Sequence, residues 1–208
     1  MKYIETIFSL CYIIILWWFA VKMLMLSWDN QKSVCIISAF MFITLALGDT
    51  AHVMTRIFNW HVGVGAILVA MMINFFYLFL AEVIIEHTNS KIGAAFWCMA
   101  ILLLLRLIVI ALGGATWQTN QHPYPEYEIR NLLLIGIQVE VLLLLAQESD
   151  MLMDQIFVLT LISTICLIPT TFLIREFPLV GMLMIPKSIT YLVMANIIYK
   201  ELFREKYV

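Results

Sequence analysis

Charged residues are scarce in this chain, and their scarcity excludes most soluble folds. Only 12% of the 208 residues are Asp, Glu, Lys or Arg, whereas 63% are hydrophobic and the mean hydropathy is +0.98. A soluble domain is about half apolar and about a quarter charged, because polar side chains must cover its surface. This chain cannot hide its apolar surface in water, and its net charge of −2 gives no basic surface for nucleic acid.

The sequence also lacks the motifs of metal, nucleotide and serine-hydrolase sites. There is no HExxH, P-loop, dinucleotide-binding glycine pattern or GxSxG. The four cysteines show no CxxC or Cys/His spacing, and each lies alone in a different apolar run: Cys11, Cys35, Cys98 and Cys166. Single thiols in apolar segments are usually inert packing groups. We therefore expect no metal site and no cofactor.

Long apolar runs dominate the chain. A helix that crosses a membrane needs ~20 mostly apolar residues, and seven stretches qualify: 4–26, 34–58, 62–86, 92–112, 128–147, 155–174 and 179–202. The first is too long for a signal-peptide core and lacks a small-residue cleavage site, so we interpret it as a membrane helix. Short polar connections force neighbouring helices to run antiparallel. The sequence predicts one domain over residues 1–208, an all-α polytopic membrane protein whose seven transmembrane helices form an up-down bundle.

One connection is longer than the others, and the basic residues predict the orientation. Residues 113–127 contain Trp117, Pro123 and Pro125, which oppose a helix and suit a cap at the level of the lipid headgroups. Six basic residues lie on the carboxyl-terminal face: Lys22, Lys32, Lys91, Lys200, Arg204 and Lys206. Four lie on the other face: Lys2, Arg56, Arg130 and Arg175. The excess predicts an amino terminus outside and a carboxyl terminus in the cytoplasm of a cell membrane.

A polar stripe in the second run is the clearest sign of function. Asp49, His52 and Arg56 are spaced i, i+3, i+7, so they share one face of a helix. The residues before them are almost wholly apolar, which places the stripe within the hydrocarbon. An ionisable side chain there costs roughly 2.5–3.5 kcal/mol on insertion scales, so the stripe indicates a buried polar site.

Other charged residues fall at comparable depth. With a rise of ~1.5 Å per residue, Asp49 and Lys187 lie roughly 13 Å and 12 Å from the same side of the membrane, and Arg106 roughly 9 Å. Glu140 and Asn74 lie about 18 Å in. Charges at this depth face one another or a cavity. We therefore predict that Asp49 pairs with Lys187 or Arg106, and Glu140 with the remaining cation.

Helix five offers two polar residues for this interior. Gln138 and Glu140 point about 160° apart, so one narrow cavity cannot receive both. We assign Glu140 to the interior because exposing it to lipid would cost more. Polar pairs can also simply hold helices together, at roughly 0.6–2 kcal/mol each, but four charges at similar depth exceed that need.

The predicted site contains three candidate catalytic residues and six candidate binding residues. Asp49 or Glu140 would act as general base for water, and His52 as a proton shuttle. The binding residues are Arg56, Asn74, Tyr77, Arg106, Lys187 and Tyr191. We favour an intramembrane hydrolase acting on a lipid headgroup or an ether or ester bond. The alternatives are a small-solute or proton-coupled transporter, or a membrane ligand sensor. The expected partners are membrane lipids and a small-molecule or lipid ligand.

These motifs resemble those of two groups of membrane proteins. Gly48-Asp49, His52 and Arg56, together with Ile185-Pro186-Lys187, resemble a GD-x-x-H-x-x-x-R stripe and a last-helix Ile-Pro-Lys in a group of multi-pass membrane proteins of Firmicutes. That resemblance implies a bacterial multi-pass fold and no particular activity. Leu47-Gly48-Asp49, with Arg56 and the stretch 63–77, is similar to the lysoplasmalogenase-like membrane hydrolases, which implies lipid hydrolysis. The second intramembrane aspartate of those hydrolases has no counterpart here unless Glu140 replaces it.

Overall fold

The computed structural model describes the chain except residues 1, 31, 59, 61, 90, 113–125, 149 and 205–208, and except the side chains of 2–5, 29–30, 62, 126 and 204. Its seven α-helices are Lys2–Asn30 (α1), Ser33–Ile57 (α2), Val62–Thr88 (α3), Ala94–Leu112 (α4), Glu126–Leu145 (α5), Met151–Phe172 (α6) and Met184–Ile198 (α7). A 3-10 helix, Pro178–Leu183, precedes α7, and a π-helical turn, Tyr199–Arg204, follows it. The predicted all-α class is confirmed.

Six helical segments are long and apolar enough to cross a membrane: Thr6–Trp28, Ser33–Ile57, Gly63–Thr88, Ala94–Leu112, Met151–Phe172 and Pro178–Phe203. The protein is therefore a multi-pass membrane protein. The remaining helix, α5, carries Glu128, Arg130 and Glu140, which lower its hydropathy. Its 20 residues still span about 30 Å, close to the thickness of the hydrocarbon layer. A seventh crossing by α5 stays a prediction.

The helices pack in sequence order around the interior of the bundle, and α3 contacts α2, α4 and α5. Consecutive helices contact one another from α1 to α7, α1 also contacts α7, and α3 also contacts α5. Aromatic rings join the two ends of this series, because Phe19 on α1 packs edge-to-face against Tyr199 at a centroid distance of 5.9 Å. Large apolar side chains such as Ile14 and Trp18 remain exposed on the outside of the bundle, as expected for a surface in contact with lipid.

Two glycines allow α2 and α3 to approach closely. A Cβ atom on Gly48 would lie 2.7 Å from the Cβ of Met72. A Cβ atom on Gly65 would overlap the Thr55 hydroxyl and lie 2.9 Å from the carbonyl oxygen of Ala51. Any larger residue would push the helices apart. This contact fixes the part of α2 that contains Asp49, the residue after Gly48, against α3.

The last two helices of the bundle, α6 and α7, each contain a proline. Pro169 lies inside α6, and the hydroxyls of Thr170 and Thr171 both donate to the carbonyl oxygen of Leu167, at 2.7 Å and 3.0 Å. Pro186 lies in the first turn of α7, where a missing N–H group costs little. The next residue, Lys187, therefore lies just beyond the change from 3-10 to α-helical geometry.

Candidate functional site

The Asp49 carboxylate is held by helix α1. The Tyr12 hydroxyl donates a hydrogen bond of 2.6 Å to Oδ2 of Asp49. One residue further, Nε1 of Trp17 donates to the Thr50 hydroxyl at 2.9 Å. The sequence analysis identified neither Tyr12 nor Trp17 as a partner of the polar stripe. No spacing within α1 identifies these partners, because the contacts depend on how α1 rotates against α2.

The Lys187 ammonium carries the charge opposite to that of the Asp49 carboxylate, but the two groups are not in direct contact. Lys187 is 9% exposed, and its ammonium has no hydrogen bond and no direct ion pair with any described residue. The two groups lie within electrostatic range of each other. The direct pairing expected from the sequence is therefore wrong. Two separated charges of this kind inside a membrane are costly unless a polar group lies between them.

Four polar side chains from four helices form a cluster next to Lys187. The Tyr191 hydroxyl on α7 lies 3.2 Å from the Tyr77 hydroxyl on α3. Ser163 on α6 donates to the Tyr191 hydroxyl at 3.5 Å. On α5, Nε2 of Gln138 donates to the Tyr77 hydroxyl and, at 3.4 Å, to the Ser163 hydroxyl. We call these four residues the hydroxyl cluster. The sequence had placed Tyr77 and Tyr191 in the site, but not Ser163 as their partner.

The sequence prediction that Glu140 faces the interior and Gln138 does not is wrong. Gln138 is fully buried, whereas Glu140 is partly exposed and its side chain has no hydrogen bond or ion pair with any described residue. Neither Lys187 nor Arg106 is therefore its partner. An amide can satisfy much of its hydrogen bonding with neutral neighbours, whereas a buried carboxylate would lose several kcal/mol of hydration without a paired cation.

Arg106 joins three helices through neutral oxygens. It is 2% exposed, and its Nε donates to the backbone oxygen of Arg130 at 3.0 Å. Its Nη1 donates to the backbone oxygen of Ala70 at 2.7 Å and to Oδ1 of Asn74. No carboxylate among the described residues contacts it. The expectation that Arg106 pairs with Asp49 or Glu140 is wrong, because oxygens of α3 and α5 take its donors.

The other two residues of the polar stripe, His52 and Arg56, lie closer to the carboxyl end of α2. His52 is partly buried one turn after Asp49, and Arg56 is exposed in the last helical turn, where a cation suits the helix dipole. Within the described residues, no three His, Cys, Asp or Glu side chains could together hold a metal ion. The predicted cap residues Trp117, Pro123 and Pro125 lie outside the described part of the chain.

No protein-family model, no curated protein and no solved structure matches this chain. The resemblances to the Firmicutes membrane proteins and to the lysoplasmalogenase-like hydrolases therefore stay predictions. The helices and the interior contacts define the class as a multi-pass, all-α membrane protein with polar side chains buried between its helices.

Proposed function

We propose that this protein is an intramembrane hydrolase that cleaves an ester bond of a membrane lipid. The observation that carries the proposal is the separated pair of Asp49 and Lys187. One side chain offers a carboxylate oriented by Tyr12, and the other offers a buried ammonium with no direct hydrogen-bond or ion-pair partner among the described residues. A water molecule and the carbonyl group of a substrate are polar groups that would fit between these two charges.

The proposed chemistry assigns one role to each charge. The Asp49 carboxylate takes a proton from water while the water oxygen bonds to the carbonyl carbon, as a general base does. The Lys187 ammonium stabilises the negative charge that develops on the carbonyl oxygen. The bond from carbon to the alcohol oxygen then breaks, and that oxygen takes the proton back from Asp49. His52, one turn away, would relay this proton, and the products are a fatty acid and an alcohol.

Substrate access fits the position of these residues. Asp49 and His52 lie inside an apolar helix yet are only partly buried. In the proposed function a lipid approaches them from the bilayer without first crossing water. Access from the side distinguishes an enzyme that acts on lipids from a carrier, which needs openings to the two faces in turn.

Proton-coupled transport is a second candidate, and the hydroxyl cluster favours it. Tyr77, Ser163 and Tyr191 form a run of hydroxyl groups that could pass a proton toward Lys187. Gln138 Oε1 has no hydrogen-bond partner within the described residues, so a water molecule would complete this relay. Proteoliposomes with a trapped pH-sensitive dye would detect the flux, which Tyr191→Phe should abolish if this candidate holds.

The experiment that tests the proposed function measures product release in nanodiscs. Purified protein is incubated with a mixture of bacterial lipids, and released fatty acids are quantified by mass spectrometry. We expect release from wild type and none above background from Asp49→Asn or Lys187→Met. The matched controls are Asp154→Asn and Lys22→Met, which make the same changes at exposed positions and should retain activity. Equal release by wild type and Asp49→Asn would reject the proposal.

A further inference from the structure

Unpaired hydrogen-bond donors converge where α3, α4 and α5 meet. Nη2 of Arg106 carries two N–H groups with no acceptor in the described part of the chain, since only Nε and Nη1 donate to protein oxygens. Nδ2 of Asn74 is buried and also lacks a partner there, and Asn74 is 3% exposed. The two side chains contact each other through Nη1 and Oδ1. Buried donors are rarely left unsatisfied, and the described residues supply no acceptor for Nδ2 of Asn74.

A group that accepts these hydrogen bonds would also have to neutralise the positive charge of Arg106. Arg106 contacts only neutral oxygens, and the ionisable groups that act on it are Arg130, Lys187, Tyr77 and Tyr191. Among these, Arg130 and Lys187 are cations and the tyrosines are ordinarily neutral. None of these groups is an anion, so no described residue neutralises the guanidinium of Arg106 inside the membrane. An unbalanced charge at that depth is costly, and an anion would remove the cost.

We infer that Arg106 and Asn74 bind a phosphate group at this junction. The two N–H groups left on Arg106 Nη2 can donate to phosphate oxygens, and Nδ2 of Asn74 adds a further donor. Two sources carry this chemistry, the phosphodiester of a membrane lipid and free inorganic phosphate. The inference does not rest on the proposed hydrolase, because it concerns binding and uses neither Asp49 nor the hydroxyl cluster.

Asn74→Asp tests the site with little change in shape. The substitution puts a carboxylate oxygen in place of Nδ2, so Arg106 gains an internal ion pair and an incoming phosphate meets a negative charge. We expect the variant to be at least as stable as wild type without ligand, yet to bind phosphate-bearing ligands about tenfold more weakly or worse. Asn196→Asp makes the same change on α7, away from the junction, and should bind as wild type does.

The probes are phosphatidylglycerol, diacylglycerol with the same acyl chains, and inorganic phosphate. Binding to the full chain in detergent is followed by native mass spectrometry and by thermal stability. Phosphatidylglycerol should bind one-to-one and raise the melting temperature of wild type, whereas diacylglycerol should not. Comparable stabilisation by inorganic phosphate would identify the free anion as the source, and stabilisation by the lipid alone would identify the lipid. Equal binding of the two lipids by wild type, or undiminished binding by Asn74→Asp, would overturn the inference.

Discussion

The Tyr12 hydroxyl on α1 donates a hydrogen bond of 2.6 Å to the Asp49 carboxylate on α2. This contact ties the ionisable residue of the polar stripe to a helix more than 30 residues earlier in the chain. It also fixes the orientation of the carboxylate, because a tyrosine ring packed between helices has few rotamers. The stability of the first helix pair and the geometry of the proposed site therefore depend on the same bond.

Removing the hydroxyl of Tyr12 should destabilise the protein. Tyr12→Phe keeps the ring and leaves the Asp49 carboxylate without its described donor, which typically costs roughly 1.5–3 kcal/mol when the acceptor is charged. The measurement is thermal unfolding in detergent. Tyr199→Phe is the control, because Tyr199 is partly buried and contacts its neighbours through ring packing. Equal shifts for the two variants would show that the hydroxyl contributes nothing.

Asp49 and Lys187 should be energetically coupled. Asp49→Asn and Lys187→Met each leave the other charge with less compensation, so each should lower stability. The double variant should recover part of the loss, with a coupling energy of roughly 0.5–3 kcal/mol. We expect less than for a direct buried ion pair, because the two groups are not in direct contact. Strictly additive losses would mean that the two charges do not interact.

The close approach of α2 and α3 should tolerate no added methyl group at Gly65. Gly65→Ala would force the Ala51 backbone or the Thr55 side chain to move, and overpacking of this kind costs roughly 1–3 kcal/mol. Gly93→Ala is the matched control, because a Cβ atom there would meet only the Lys91 oxygen, at 3.9 Å. Thermal stability should fall for the first variant and change little for the second.

Reporter fusions test whether α5 crosses the membrane. If it does, fusions after Lys32, Lys91 and Val208 should report the cytoplasm, and a fusion after Gln121 should report the outside. A fusion after Glu148 should then report the cytoplasm. If α5 does not cross, the fusions after Gln121 and Glu148 would report the same side. The inverse of the whole pattern would reverse the predicted orientation.

The helices and the approximate depth of the polar residues could be predicted from the sequence. Apolar runs of about 20 residues can only be helices in a membrane, because no water is present there to satisfy the backbone. Depth follows from the rise per residue, which is why Asp49 and Lys187 were expected to lie near each other. The two groups do lie within electrostatic range of each other, although the direct ion pair does not form.

The partners of each polar side chain could not be predicted, because they depend on helix rotation. Sequence spacing shows that Gln138 and Glu140 point in different directions, but not which one faces the bundle. It likewise cannot show that backbone oxygens, instead of a carboxylate, receive the donors of Arg106. Tyr12 carries no signal of its own, since tyrosines in apolar helices most often pack against neighbours or lie at the membrane surface.

The most direct test of the proposed function is a hydrolysis reaction in water labelled with oxygen-18. Nanodiscs that contain the protein and an ester lipid are incubated in labelled water, and the released fatty acid is analysed by mass spectrometry. Attack of water on the carbonyl carbon should place one labelled oxygen in the fatty acid with wild type and with Asp154→Asn, but not above background with Asp49→Asn. Label incorporation by Asp49→Asn at the wild-type rate would contradict the account. The absence of labelled fatty acid with wild type would contradict it as well.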